Sequence, residues 1–307
     1  MKKAIVLLIV MVCLAAGIWG IFMLRGSAGK AGDHVENDNG NTGVAADVTE
    51  SGTTTEEQTA DSQETTEVTE EEKPSLVDET LAGMTLHEKV CQMMFVTPEE
   101  LTGEDGVTVA GDATRQALEN YPVGGIVYFA KNLESQDQVK EMIDNSQKYS
   151  SIGLFVATDE EGGVVNRLMD TVGTTYIGSM YYYKDDGDET AYENAYTIAN
   201  DMSALGFNLD FAPVADVWSN PDNTVIGERA YSDDYAQAAE LVGNAVKGFN
   251  DGGVMCTLKH FPGHGDTAED SHYSSAYVHR TKEEIMADEM QPVSYTHLRA
   301  HETLSDL

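Results

Sequence analysis

Short, largely apolar runs alternate with longer stretches of helical character over most of the chain. The runs are too short for helices and lack the polar alternation of half-exposed strands, so they predict strands buried on both faces. They lie at 90–96, 124–129, 154–157, 207–211 and 254–258. Helices are predicted between them at about 111–120, 134–149, 190–205 and 234–251. Parallel strands joined by helices indicate an α/β fold, either a doubly wound sheet or a barrel.

Local signals mark helix boundaries in this pattern. Thr85, followed three residues later by Glu88, has the form of a capping box and predicts a helix start before the run 90–96. Gly206 and the pair at 252–253 fall where helix C-caps are expected, because glycine readily adopts the left-handed conformation.

The N-terminus has a different character. After the first methionine come two lysines, and then 21 residues, 4–24, carry no charge. A helix of this length, at about 1.5 Å per residue, spans a hydrocarbon core of about 30 Å. Residues 1–25 are therefore predicted to be a signal-anchor transmembrane helix with the lysines inside and the rest of the chain exported. The alternative is a signal cleaved near 26–28, which would release a secreted protein.

Residues 26–75 form a second segment, rich in Thr, Glu, Gly, Asp and Ser and almost without large apolar side chains. Such a segment cannot bury enough apolar surface to offset the entropy lost on ordering. Its like charges also extend it. We interpret it as a disordered acidic linker that holds the region from residue 76 onward away from the membrane.

The chain has 307 residues and a formal net charge of −35, and residues 76–292 alone hold 38 acids against 12 basic residues. Binding to phosphates requires a basic face, so nucleic acid is excluded as a partner. The hydrophobic content of 41% is sufficient for a packed core. Three scattered cysteines do not predict a disulfide framework.

Polar clusters, two of them glycine-rich, follow three successive predicted strands, at 159–163, 213–216 and 259–267. In an eight-stranded barrel the active site forms from loops at the C-terminal strand ends, so this placement favours a barrel. Only about five strands are predicted, which makes the barrel incomplete within this chain.

The third cluster has the highest density of groups that can exchange protons or bind polar ligands. It contains Lys259, two histidines and an aspartate, and Asp270 and His272 follow it. An aspartate two residues from a histidine can orient the imidazole and stabilise its protonated form. Two other interpretations stay open. These residues could brace a loop, or His264, Asp266 and the later pair could hold a metal, although their spacing matches no known ligand pattern.

The run 259–267 followed by 270–272 resembles the signature of family-3 glycoside hydrolases, and within them the β-N-acetylglucosaminidase branch. Three further segments resemble family landmarks in the same order: 124–129 its second strand, 159–167 its Asp-x-Glu-Gly-Gly-x-Val-x-Arg element and 223–229 its Ile-Gly-x-Arg turn. The resemblance covers about residues 76–292. It implies a (β/α)8 TIM-type barrel, of which this chain would hold about five of eight strands.

The resemblance also implies roles for the residues at matching positions. His272 would be the general acid/base and Asp270 its partner. The sugar would be bound by five residues: Asp159, Arg167, Arg229, Lys259 and His260. His264 and Asp266 would shape the loop, and no metal or cofactor is implied.

The family's nucleophile, an aspartate on a later strand, would lie beyond a truncated end of this chain. Residues 282–290 predict a last helix, after which 293–307 changes character and resembles a translated sequencing adapter rather than native protein. Missing strands leave open sheet edges that invite aggregation. We therefore expect this chain alone to fold poorly and to be inactive as a hydrolase.

The leading hypothesis is an exported, membrane-anchored β-N-acetylhexosaminidase that removes terminal β-linked N-acetylglucosamine from cell-wall or related glycans with retention of configuration. One alternative is a non-catalytic amino-sugar-binding pseudoenzyme. Another is a phosphorylase of N-acetylglucosaminides, because a neutral histidine repels phosphate less than a carboxylate does. A metal-dependent hydrolase is a further alternative, which insensitivity to a chelator would remove.

Substitution of His272 or Asp270 tests the proposed proton transfer. In the active product of the full gene, His272→Ala or Asp270→Asn is expected to lower kcat on N-acetylglucosaminides by roughly 10²–10⁴-fold, because these groups would move protons in both chemical steps. Steady-state kinetics measures the effect, and an unchanged kcat would refute the assignment.

Overall fold

The computed structural model describes residues 75–268 and 275–302. In this part, five short strands form one parallel sheet in chain order. The strands are β1 (Phe95–Val96), β2 (Gly125–Val127), β3 (Phe155–Thr158), β4 (Leu209–Asp210) and β5 (Met255–Cys256). The α-helices are α1 (Leu76–Gly83), α2 (Leu86–Cys91), α3 (Pro98–Thr102), α4 (Asp112–Asn120), α5 (Gln136–Tyr149), α6 (Leu168–Val172), α7 (Asp188–Leu205), α8 (Tyr235–Asp251), α9 (Lys282–Ala287) and α10 (Gln291–Glu302). Short 3-10 helices lie at Ala130–Asn132, Met180–Asp185 and Gly227–Arg229.

Consecutive strands are neighbours in the sheet and are joined by helices. The register places Ile126 beside Val156 and Ala157 beside Leu209, in parallel. The predicted α/β fold with parallel strands is therefore confirmed. Five β/α units that follow one another in this way are the arrangement of part of a TIM-type barrel.

The four helices predicted between the strands begin and end within two residues of their predicted bounds, and Gly206 ends α7 in the left-handed conformation with φ 99°. Apart from β3, which keeps its predicted length, the strands are shorter than predicted. Beyond β4, single hydrogen bonds continue the pairing, since the Phe211 amide donates to Thr158 O at 2.9 Å and the Thr257 amide to Ala212 O at 2.8 Å. Pairing thus continues sparsely where the chain turns into the strand-end loops.

The apolar run 90–96 is divided between two elements. Thr85 and Glu88 form the predicted capping box, in which the Thr85 amide donates to Glu88 Oε2 at 2.7 Å and the Glu88 amide to Thr85 Oγ1 at 3.3 Å. The helix that starts there continues through Cys91, so only the end of the run pairs as β1.

Two apolar clusters lie on opposite faces of the sheet, because successive side chains of a strand alternate between faces. Val156 belongs to the large cluster that packs against helices α5, α7 and α8. Ala157 belongs to a small cluster on the other face. There Phe95 and Phe155 stack with ring centroids 5.8 Å apart, yet they are 39% and 41% exposed. The strand ends that border this face carry the polar residues described below.

The predicted last helix, 282–290, is shorter in the structure, where α9 ends at Ala287. Helix α10 then begins at Gln291 and contacts α8, since a Cβ added at Gly243 would lie 2.6 Å from Tyr295 Cδ1. The first part of the segment 293–307 is thus helical. Its proposed origin outside the native protein stays a prediction.

The predicted anchor, 1–25, lies outside the described residues, as does all but the last residue of the predicted linker, 26–75. Within the described ranges, no helix combines the length and the apolar character needed to cross a membrane.

The contact between α7 and α8 depends on a glycine. A Cβ at Gly248 would lie 2.4 Å from Tyr192 O and 2.9 Å from Tyr196 N, so the two helix backbones touch there. Gly248→Ala is expected to lower the free energy of unfolding of the full gene product by about 1–3 kcal/mol, because the helices must separate. Urea unfolding measures this. Gly153→Ala is the control, since its Cβ would meet no described atom within 4 Å, and equal effects of the two substitutions would contradict the close contact.

Candidate active site

Polar residues from three successive strand ends converge at one edge of the sheet. Asp159 follows β3, Asp216 follows β4 and Lys259 follows β5. The Ala215 amide donates to Lys259 O at 2.6 Å, and Val214 and Lys259 form an isolated parallel bridge. The loops after β4 and β5 are therefore held side by side, as active-site loops are at the C-terminal face of a barrel.

Glu161 is the buried centre of this cluster, with a fully buried side chain. It accepts two hydrogen bonds from Arg229, from Nε and Nη2, each at 2.8 Å. It also pairs with Lys259, whose Nζ donates to Asp159 Oδ1 at 2.8 Å. Burial opposes the charge of Arg229, but the hydrogen bonds and charge of Glu161 outweigh it and raise the guanidinium pKa. Glu161 thus fixes both cations.

His260 is oriented by Asp216, whose side chain is 1% exposed. His260 Nδ1 lies 2.6 Å from Asp216 Oδ2, and Arg229 Nη2 lies 3.3 Å from His260 Nε2. Because a guanidinium can only donate, Nε2 accepts, and we assign the proton to Nδ1. Burial favours the neutral acid, but the contacts with His260 outweigh it and hold the pKa of Asp216 below its ordinary value.

The turn that contains His264 is built around the segment that follows β4. Asp216 Oδ1 accepts from the His264 amide at 2.7 Å, and Asn223 Nδ2 donates to His264 O at 2.7 Å. A Cβ at Gly265 would lie 1.7 Å from Val217 O, so no side chain fits there. The turn is therefore tightly packed against the neighbouring loop.

Both residues with a predicted loop-shaping role lie in this turn. His264 is 9% exposed, and its Nδ1 lies 2.7 Å from Thr267 Oγ1. Asp266 Oδ1 accepts from Ser219 Oγ at 3.5 Å, and its Oδ2 lies 3.9 Å from Arg280 Nε. Within the described residues, the side chains of His264 and Asp266 thus contact the turn itself and neighbouring segments of the chain.

Arg167 lies apart from this network and precedes α6 as its N-cap. Its guanidinium lies 6.0 Å from the Phe129 ring centroid. Its Nε is buried and finds no hydrogen-bond partner in the described part of the chain. A buried donor without a partner is costly, so this nitrogen is a candidate for contact with a ligand.

The structure therefore brings together four of the five predicted sugar-binding residues: Asp159, Arg229, Lys259 and His260. Asp270 and His272, the predicted acid/base pair, lie outside the described residues, and their roles stay predictions. Among residues 75–268 and 275–302, no three His, Cys, Asp or Glu side chains are placed to hold a metal ion.

Four acids with well-defined contacts were missed by the sequence interpretation. Glu161 and Asp216 fix the cations and the histidine, as described above. Glu160 and Asp210 lie beneath the site, 4% and 0% exposed. The sequence did hold a signal for Glu160 and Asp210, which is their position. Asp210 lies in an apolar strand and Glu160 follows one closely, and an ionisable side chain in such a place needs a specific partner.

Most of the chain is similar to proteins of one known family. The sequence model described as "Glycosyl hydrolase family 3 N terminal domain" matches residues 85–298. The β-hexosaminidase A of Pseudoalteromonas piscicida is 35% identical over 185 residues, which are 58% of this chain and 31% of that protein. The β-hexosaminidase of Haemophilus influenzae, strain Rd, is 35% identical over 182 residues, covering 58% of this chain and 51% of the relative. This chain thus spans about half, or less, of the length of these relatives.

A solved structure gives the same picture of the fold. The glycoside hydrolase family 3 β-N-acetylglucosaminidase from Paenibacillus sp. str. FPU-7 matches with a TM-score of 0.65 and 37% identity. The match covers 70% of this chain and 40% of that one. The predicted fold class, part of a TIM-type barrel, is confirmed by this likeness together with the parallel sheet.

Asp210 generates a prediction about pH. Its Oδ1 accepts from the Glu160 amide at 3.0 Å, its Oδ2 has no partner in the described residues, and burial raises its pKa well above the ordinary value. A carboxyl with a raised folded-state pKa stabilises the fold below its unfolded pKa of about 3.9 and loses this contribution as the pH rises through the folded pKa.

Asp210→Asn is therefore expected to flatten the decline in the free energy of unfolding as the pH rises above about 4, because Asn does not titrate. Urea unfolding of the full gene product at several pH values measures the slope. Glu104→Gln, at an exposed position, is the control and should keep the slope of the unaltered protein. An equal slope in Asp210→Asn would contradict the burial of a titrating carboxyl.

Proposed function

The chain belongs to glycosyl hydrolase family 3, and from this membership we propose that it is part of a β-N-acetylhexosaminidase that removes terminal β-linked N-acetylglucosamine from glycans. The names of the two relatives and of the Paenibacillus enzyme support this choice within the family. The observation that carries the proposal is the convergence of Asp159, Glu161, Arg229, Lys259 and His260 at one edge of the sheet.

The charges of this cluster suit a neutral, hydroxyl-rich ligand. Lys259 and Arg229 are each paired with carboxylates, so they present hydrogen-bond donors without much excess charge. Among the acids Asp159, Glu161 and Asp216, Asp159 has the most exposed side chain, at 20%. It can therefore accept a hydrogen bond from a sugar hydroxyl. Hydrogen bonds to charged groups are stronger than those between neutral groups. The cluster can therefore bind a sugar ring firmly by its hydroxyl groups.

His272 and Asp270 are proposed to perform the proton transfers. In the first step, protonated His272 would give its proton to the leaving glycosidic oxygen while a carboxylate attacks the anomeric carbon and forms a glycosyl-enzyme. In the second step, neutral His272 would take a proton from water, which displaces the carboxylate. Asp270 would orient the imidazole and stabilise its cationic form. The attacking carboxylate is expected beyond this chain's last predicted strand.

The remaining parts of the proposal concern location and substrate. The apolar segment 4–24 would anchor the protein in the cytoplasmic membrane with the sugar-binding region outside, or would direct secretion if cleaved. An enzyme in that position meets cell-wall glycans. The proposed reaction uses only side chains and water, and so needs no cofactor.

The experiment uses the product of the gene, read past the codon for Pro292, with aryl β-N-acetylglucosaminide and aryl β-glucoside as substrates. Faster release from the N-acetylglucosaminide, with the β-anomer as first product by NMR, is the expected outcome. Binding of N-acetylglucosamine without turnover would instead identify a pseudoenzyme. A phosphate-dependent rate with a sugar-phosphate product would identify a phosphorylase.

Lys259→Met tests whether the convergent cluster is the sugar site. It is expected to lower kcat/KM by about 10²-fold or more, because the substitution removes a donor and leaves Asp159 and Glu161 without their shared cation. Lys131→Met is the matched control, since Lys131 also pairs with a carboxylate, Glu99 at 3.1 Å, but is 54% exposed and lies in a different cluster. Similar kcat/KM for both variants would overturn the assignment of the site.

A further inference from the structure

Glu160 is a buried carboxylate that takes no part in the proposed chemistry. It is 4% exposed and accepts hydrogen bonds from three successive backbone amides, at 2.5 Å from Arg167, 2.7 Å from Leu168 and 3.0 Å from Met169. These amides begin α6, which has only five residues. So short a helix has little stability of its own, and its first amides have no partner within the helix. Glu160 therefore fixes the backbone where α6 starts.

Arg167 is the residue whose position depends most on this contact. Its amide makes the shortest of the three bonds to Glu160. Its side chain lies over Phe129, and its Nε has no partner among the described residues. By contrast, Arg229 and Lys259 are fixed by their own ion pairs. The direction of the Arg167 guanidinium is thus set by its backbone, by packing on one ring and by its electrostatic attraction to Glu160.

Glu160 is itself held in place from the neighbouring strand. Its amide donates to Asp210 Oδ1 at 3.0 Å, and Asp210 is fully buried at the end of β4. Its two chain neighbours, Asp159 and Glu161, belong to the ion-pair network. Glu160 therefore connects the end of β4, through its backbone amide, to the backbone of Arg167, through its carboxylate.

We propose that Glu160 is a positioning residue, which holds the Arg167 backbone so that the guanidinium meets the bound sugar. The inference rests on the proposed function, because it requires that the site bind an amino sugar. Glu160 touches no sugar, and its effect on binding passes through Arg167.

The two shortest hydrogen bonds to Glu160 end on one oxygen atom, Oε2, and only the bond from Met169 ends on Oε1. Glu160→Gln can place its amide oxygen where Oε2 lies and keep both. Glu160→Asp keeps the charge but withdraws the oxygens by one C–C bond length, about 1.5 Å. The length of the side chain at position 160, rather than its charge, is therefore expected to decide whether the Arg167 backbone is held in place.

The affinity of the full gene product for N-acetylglucosamine is measured by titration calorimetry. Glu160→Ala and Glu160→Asp are expected to weaken binding by about tenfold, because a misplacement of about 1 Å removes a directed contact. Glu160→Gln is expected to stay within about threefold of the unaltered protein. Should Glu160→Ala fail to fold, the comparison of the Asp and Gln variants decides. Weaker binding by Gln than by Asp would overturn the proposal.

A double-mutant cycle with Arg167→Ala separates positioning from general destabilisation. In the Arg167→Ala background, Glu160→Asp is expected to cause no further loss of affinity, because both changes remove the same contact. Additive losses would overturn the proposal. Glu88→Ala is the control, since Glu88 also accepts from a backbone amide at a helix start, at 2.7 Å from Thr85, but no predicted site residue follows it in that helix.

The outcomes also distinguish this inference from the proposed function. If the unaltered protein does not bind N-acetylglucosamine, the proposed function fails and the inference fails with it. If it binds the sugar and the Glu160→Asp variant binds equally well, only the inference fails.

Discussion

The buried pairing of Glu161 with Arg229 and Lys259 is the interaction on which the candidate site depends. The carboxylate follows β3, the lysine follows β5 and the arginine comes from the 3-10 helix after β4, so one fully buried side chain joins the three loops. Removing one member of such a buried pair leaves an uncompensated charge and typically costs about 3–5 kcal/mol. The three groups together therefore hold the loops in their observed positions.

Asp216 and Glu160 extend the same arrangement to the backbone. Asp216 accepts from the amides of His260 and His264, and Glu160 accepts from the three amides that start α6. Irregular loops lack the regular backbone pairing of helices and strands, so their amides need other acceptors when buried. Here side-chain carboxylates serve as those acceptors. Acids that a sequence would assign to the surface thus determine the shape of the site.

Much of the fold follows from the sequence because its signals are local. The long helices and the strand positions are set by apolar periodicity, and Thr85 and Gly206 mark helix ends through capping that involves only near neighbours. Membership in family 3 was likewise readable from contiguous motifs. The roles of Glu160, Glu161, Asp210 and Asp216 were not readable, since their partners include residues far along the chain, such as Arg229, which is 68 residues from Glu161, and Lys259, which lies beyond it. Pairing across such distances is specified by the fold.

The near balance of charge in the site has a kinetic consequence. Asp159 and Glu161 are matched by Arg229 and Lys259, while the chain as a whole carries −35. A neutral sugar therefore approaches without long-range attraction or repulsion, and its encounter rate depends little on ionic strength. An anionic glycan would meet the field of the whole molecule, which is screened only beyond about 8 Å at physiological salt. Selection between neutral and acidic glycans thus begins before contact, during diffusion toward the site.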